Sequence, residues 1–179
     1  MQSLSEFDCS PLRACCFTGH RPESLPDRGN EEKRGMRELQ NLLEAAVFRA
    51  LEDGITVFFA GGARGFDTLA AEAVLRCRET NPDVTLFLAL PGRDQTEDWS
   101  EGDRLRYEAI LSAVGECVWY AADRCSPDSM RKRNRYLVDH STRCIAYLKR
   151  MRGGTLYTVN YAMENDVPVE NLALFMPRV

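Results

Sequence analysis

Short apolar runs recur along the chain at 14–17, 55–60, 84–90, 117–120, 144–148 and 172–175, and stretches of helical periodicity fill the gaps between them. The runs do not alternate apolar with polar residues, which is the pattern of strands buried on both faces. The clearest helix places Met36, Leu39, Leu43, Ala46, Val47 and Ala50 at three- and four-residue spacing and stops at Asp53-Gly54. A second helical stretch covers 68–78, and a third presents Tyr107, Ile110, Leu111 and Val114 on one face. A fourth opens with Ser126 as cap and Pro127 behind it, and carries Met130, Leu137 and Val138 inward. The last spans about 155–165 and turns Leu156, Val159 and Met163 to the core.

Strands of this kind, separated by helices, predict an α/β fold: a single doubly wound, Rossmann-like domain with a mostly parallel sheet, helices on both faces and right-handed crossovers. In such a sheet every strand opens its C-terminal end on one edge, and ligands bind there. The residues that end the strands are therefore the first candidates for function.

Bulk properties narrow the field. The 179 residues are 44% hydrophobic and 28% charged, enough for one core, which would bury roughly 70% of the unfolded surface. The expected division is an N-terminal tail over 1–12 and one domain over 13–179. A net charge of −4 argues against general affinity for nucleic acid or an anionic membrane. Residues 1–11 lack a basic segment followed by an apolar one, and no run approaches the roughly 18 apolar residues of a membrane span, so the expected location is the cytoplasm.

Of seven cysteines, Cys15, Cys16, Cys77, Cys117 and Cys144 fall within apolar patterns, and Cys9 and Cys125 in loops, so no disulfide framework is expected. With two histidines and no CxxC pair, a metal site is not expected either.

Chemistry gathers at the strand ends. The second strand runs into Gly61-Gly62-Ala63-Arg64-Gly65-Phe66-Asp67 and then a helix, a glycine turn whose free N–H groups suit an anion. Arg64 in that loop could reach a phosphate with a bidentate guanidinium. Asp67 in the first helical turn offsets the helix dipole, or alternatively accepts from a ribose. The first strand ends in Thr18-Gly19-His20-Arg21-Pro22, which turns His20 and Arg21 into the same crevice; His20 is a ligand contact or a proton-transfer group. Gly153-Gly154-Thr155 opens the last helix as a second cradle.

Valine at Gly62 should then fill the space of a phosphate oxygen. The third strand ends at Pro91, in a polar loop to Asp103 that could act as a lid; its Trp99 either stacks on a ring or clamps the loop down. The basic run Arg131-Lys132-Arg133-Asn134-Arg135 spreads around a helix and is mostly a solvated face. Asn134 joins the inward stripe, and with Arg133 is a candidate contact to a ligand or to the first loop.

This ordered set, Thr18 to Pro22, Gly61 to Gly65 with Asp67, Pro91 with Gln95 and Trp99, Arg133-Asn134 with Val138-Asp139, and Gly153-Gly154-Thr155, resembles the YpsA-like family of the SLOG superfamily. The resemblance covers about 14–175. It implies a Rossmann-like domain that binds a nucleotide or nucleotide-derived ligand, such as ADP-ribose, NAD or a mononucleotide, with the glycine motifs and their polar neighbours. It also implies kinship with LONELY GUY phosphoribohydrolases and DprA, and a role as ligand sensor or processor with a protein partner or a second subunit. Those phosphoribohydrolases follow their final glycine-threonine pair, after two residues, with a catalytic glutamate; here the position holds Thr158. The expectation is thus a sensor module first and a nucleotide-processing enzyme second.

Overall fold

A computed structural model describes residues 14–177. The expected tail over 1–12, with Cys9, and the last two residues lie outside the described residues. Six strands form one all-parallel sheet: β1 Ala14–Gly19, β2 Val57–Ala60, β3 Thr85–Leu90, β4 Val118–Tyr120, β5 Arg143–Tyr147 and β6 Val169–Asn171. Five helices connect them: α1 Arg34–Glu52, α2 Phe66–Thr80, α3 Glu101–Val114, α4 Pro127–Asp139 and α5 Gly153–Glu164. The strand order is β4-β3-β2-β1-β5-β6. From β1 the chain therefore builds outward on one side, then returns to add β5 and β6 on the other.

Alternate side chains of each strand enter opposite layers. Cys15, Phe17, Phe58, Leu86, Leu88, Ile145 and Tyr147 pack with α1, α2 and α3. Ala14, Cys16, Phe59, Phe87, Cys144 and Ala146 pack with α4 and α5. Both faces are apolar, so the strands show no alternation of polarity although their side chains alternate in direction. The helices start as their sequences dictate: Ser126 and Ser129 exchange side-chain and backbone hydrogen bonds in a capping box at α4, with Pro127 in its first turn. No helix among the described residues is long and apolar enough to cross a membrane.

Three local expectations need correction. The last strand is Val169–Asn171, whereas 172–175 begins as a 3-10 turn in which only Leu172 is fully buried and Leu174 and Phe175 are exposed. Met163 is 65% exposed; the inward face of α5 is Thr155, Thr158, Val159 and Ala162. On α4 Arg133 is buried, at 6% exposure, together with Ser129, Leu137 and Val138, while Asn134 is half-buried and Met130 reaches solvent. The one-residue offset arises because α4 packs beside the strand ends, where a long polar side chain can lie inward along the edge.

Candidate functional site

The point where strand order reverses lies between β1 and β5, and a cleft of about 400 Å³ opens there at their C-terminal ends. Its floor is the end of β1, from Phe17 to Arg21 with Ser24 beyond it. One wall is Ala63 and Asp67 at the start of α2. The other wall is Arg150, Arg152 and the first turn of α5, Gly153 to Thr155, and Met130, Arg133, Asn134 and Leu137 of α4 close the side. Four arginines thus face a single carboxylate, in a chain whose net charge is −4. Arg21, Arg150 and Arg152 are exposed at the mouth, whereas Arg133 is buried.

The two helix starts are prepared for an acceptor. No side chain caps α5, and its first turn contains no acid. Its leading N–H groups therefore point into the cleft with the positive end of the helix dipole behind them. At α2, Gly65 holds φ +88, and a β-carbon there would lie 2.6 Å from the carbonyl oxygen of His20. Only glycine lets the second loop lie against the first this closely.

Inside, Asp67 and Arg133 form a buried pair 3.7 Å apart. The backbone N–H of Ala63 donates to the Asp67 carboxylate at 3.3 Å, and Arg133 Nη1 donates to the carbonyl of Gly61. Arg133 Nε is buried without a partner among the described residues. Burial pushes the Asp67 carboxyl up from its usual range, against the pull of Arg133 and Arg21. Burial likewise pushes the Arg133 guanidinium down, against the pull of Asp67. For both groups desolvation outweighs the attraction of the partner.

His20 is 8% exposed. Its Nε2 accepts from the backbone N–H groups of Lys149, at 3.1 Å, and Arg150, at 3.0 Å. Thr158, where the phosphoribohydrolases carry glutamate, is fully buried and donates to the carbonyl of Gly154 at 2.9 Å, within its own helix.

Of the residues predicted from sequence, Thr18, Gly19, His20, Arg21, Asp67, Arg133, Asn134, Gly153, Gly154 and Thr155 come together around the cleft. Gly61, Gly62, Arg64, Gly65 and Pro91 do not line it. Gly61 lies behind the wall, against the Arg133 guanidinium and 2.6 Å from the Asp67 carboxylate by a built β-carbon. Gly62 faces Leu90, Gln95 and Tyr107, so valine there would collide with the β3 end and would not enter the cleft. Arg64 turns to Glu23 and Asp103 and lies 5.9 Å from the Trp99 ring.

Trp99 packs edge-on to Tyr107 at 5.5 Å, and Gln95 donates to the carbonyl of Gly62 at 3.3 Å. The loop after Pro91 is therefore clamped onto the second strand's turn and does not line the cleft. The cleft also takes in Phe17, Ser24, Ala63, Met130, Leu137, Arg150 and Arg152, which are not among the ligand contacts predicted from sequence. The basic residues just ahead of Gly153-Gly154 were the available signal for the last two.

Comparison with known proteins agrees with the fold. A UPF0398 protein of Halalkalibacterium halodurans is 27% identical over 132 residues, 73% of this chain and 69% of its own. A UPF0398 protein of Bacillus cereus is 26% identical over 162 residues, covering 89% of this chain and 87% of the other. Among solved structures, DNA processing protein A of Helicobacter pylori, described as binding single-stranded DNA, superposes with a TM-score of 0.60 at 16% identity over 90% of this chain. Its counterpart from Streptococcus pneumoniae gives 0.58 at 18% identity over 88% of the chain. This chain spans 65% and 50% of those two chains, and the likeness is one of fold. The family model described as the YspA SLOG family matches residues 15–173, and the chain belongs to that family.

Proposed function

We propose that this chain is a binding module for a phosphorylated, nucleotide-type small molecule, held at the β1–β5 edge, whose occupancy is passed to a protein partner or a second subunit. The observation that carries it is the buried guanidinium of Arg133 with an unpartnered Nε, in a cleft that also collects three exposed arginines and an uncapped helix start. Such a set recognises a compact anion by directed hydrogen bonds, each worth about 1.5–3 kcal/mol when desolvated. The volume is that of a small-molecule site. Phe17, Met130 and Leu137 supply an apolar wall for the unphosphorylated part.

A second reading, a nucleotide-processing enzyme, has one observation in its favour: Asp67 is a buried cleft carboxyl with a raised pKa, the setting of a general acid. Against it, Asp67 is held by Arg133 and Ala63, and Thr158 offers no second carboxylate. DNA binding is not carried over from the structural neighbours, because the ligand is read from this chain's own cleft.

Mass spectrometry of small molecules released from gently purified protein, with calorimetric titration of ADP-ribose, NAD and AMP, tests the proposal. Retention of a phosphorylated compound, with saturable heat and no product, is the expected result; neither retention nor heat would refute it. Product formation lost in Asp67→Asn would establish the enzyme instead. Replacing Arg150 and Arg152 together by alanine should weaken binding about tenfold, since exposed ionic contacts contribute under about 1 kcal/mol each. The remaining affinity should depend less on salt.

A further inference from the structure

Deepening the proposed binding site, we infer that His20 is its positioning residue, tying the two helix starts together through its backbone and its ring, and is not a proton-transfer group. The His20 carbonyl accepts the N–H of Phe66, the first residue of α2, at 3.1 Å. Its ring nitrogen Nε2 accepts the N–H groups of Lys149 and Arg150, at 3.1 and 3.0 Å, in the loop that leads into α5. One residue at the end of β1 therefore sets both walls of the cleft.

A nitrogen that accepts two N–H groups carries no proton, so the ring is neutral with its hydrogen on Nδ1. The groups around it favour that state. Arg150 lies in the loop it holds, Arg21 is its neighbour on the chain, and both are cationic. Tyr147 of β5 meets the ring edge-on at 6.2 Å, and Asp67 of α2, on the opposite wall, is committed to Arg133. Burial first, then Arg150, lowers the His20 pKa from 6.5.

The folded chain thus binds this proton less readily than the unfolded chain. The ring's contribution is complete above the unfolded value of 6.5 and is lost as pH falls through it toward the folded value. Protonating Nε2 would set a donor against two donors and release the segment that bears Arg150, Arg152, Gly153 and Gly154. A histidine acting by charge alone would do the reverse and tighten an anion on acidification.

The opposite signs make the test decisive. In the ligand-free protein, NMR should find Nε2 unprotonated at neutral pH, with the amides of Lys149, Arg150, Gly153 and Gly154 shifting in one step with the ring. His20→Gln, whose amide oxygen can accept both N–H groups, should keep those amides still. ADP-ribose is a suitable probe, because its bridged diphosphate lacks the second ionisation that a phosphomonoester has at about pH 6. Its affinity for the wild type should fall as acid protonates the ring, by about tenfold once protonation is complete, the loss of two hydrogen bonds, and change less than about twofold over the same range in His20→Gln.

A proton on Nε2 at neutral pH, still loop amides, or tighter ADP-ribose binding in acid would overturn the inference. Loop amides that titrate while ADP-ribose fails to bind at any pH would uphold the role of His20 and count against the nucleotide ligand.

Discussion

Gly19→Val should lower the stability of the fold by about 3 kcal/mol or more, at or above the usual upper end for overpacking of a core. A β-carbon at Gly19 would lie 2.3–2.4 Å from Cγ, Cβ and Cδ1 of Phe66, which is fully buried and stacks on Tyr147 with centroids 6.1 Å apart. Phe66 cannot step aside, because its N–H is held by His20 and it begins α2 between the sheet and the helix layer. Displacing it would part α2 from the end of β1 and open the cleft. Gly102 serves as the control. It lies in α3 with nothing within 4 Å of an added β-carbon, so Gly102→Ala should stabilise by about 0.5–1 kcal/mol. Denaturant midpoints for the two variants read the contrast directly. A Gly19→Val midpoint equal to that of the wild type would mean that the approach of α2 to β1 is looser than described.

Arg133→Met should cost about 3–5 kcal/mol and abolish anion binding, because it leaves Asp67 buried without its ion-pair partner. The loss is that of a stranded charge and of the hydrogen bond to Gly61, not a measure of what the pair contributes. Removing both charges in Asp67→Leu, Arg133→Met should therefore restore much of the stability while binding stays lost. In a double-mutant cycle the coupling should exceed about 1 kcal/mol. Additive effects of the two single changes would show that the carboxyl and the guanidinium do not sense one another. Recovery of fold without recovery of binding separates the structural from the ligand role of Arg133.

The pair also illustrates where sequence reasoning stops. Ser126, Pro127 and the spacing of Leu137 and Val138 located α4, yet the same spacing put Asn134 inward, whereas Arg133 is buried. Helical periodicity fixes a face only to within one residue, about a quarter of a turn, and the choice between neighbours depends on what lies opposite. Here the carbonyl of Gly61 and the carboxylate of Asp67, distant along the chain, make room for a guanidinium. The glycine turn after β2 tells the same story. Its composition announced a close approach, but the partner approached by Gly65 is the β1 loop and that of Gly62 is the end of β3. Glycine marks a crowded backbone without naming the neighbour.

The sequence by itself determined the alternation of strand and helix, and hence a parallel sheet whose functional edge could be located from the residues that end each strand. It did so because burial on both faces and helical periodicity are local patterns, and because a parallel crossover sheet has only one ligand-binding edge. Tertiary structure alone decided that β5 lies beside β1, that His20 joins the loops before α2 and α5, and that Arg133 reaches Gly61 from the far side. These contacts link residues 46 to 130 positions apart. No local pattern encodes such pairings; they follow from packing the whole chain at once.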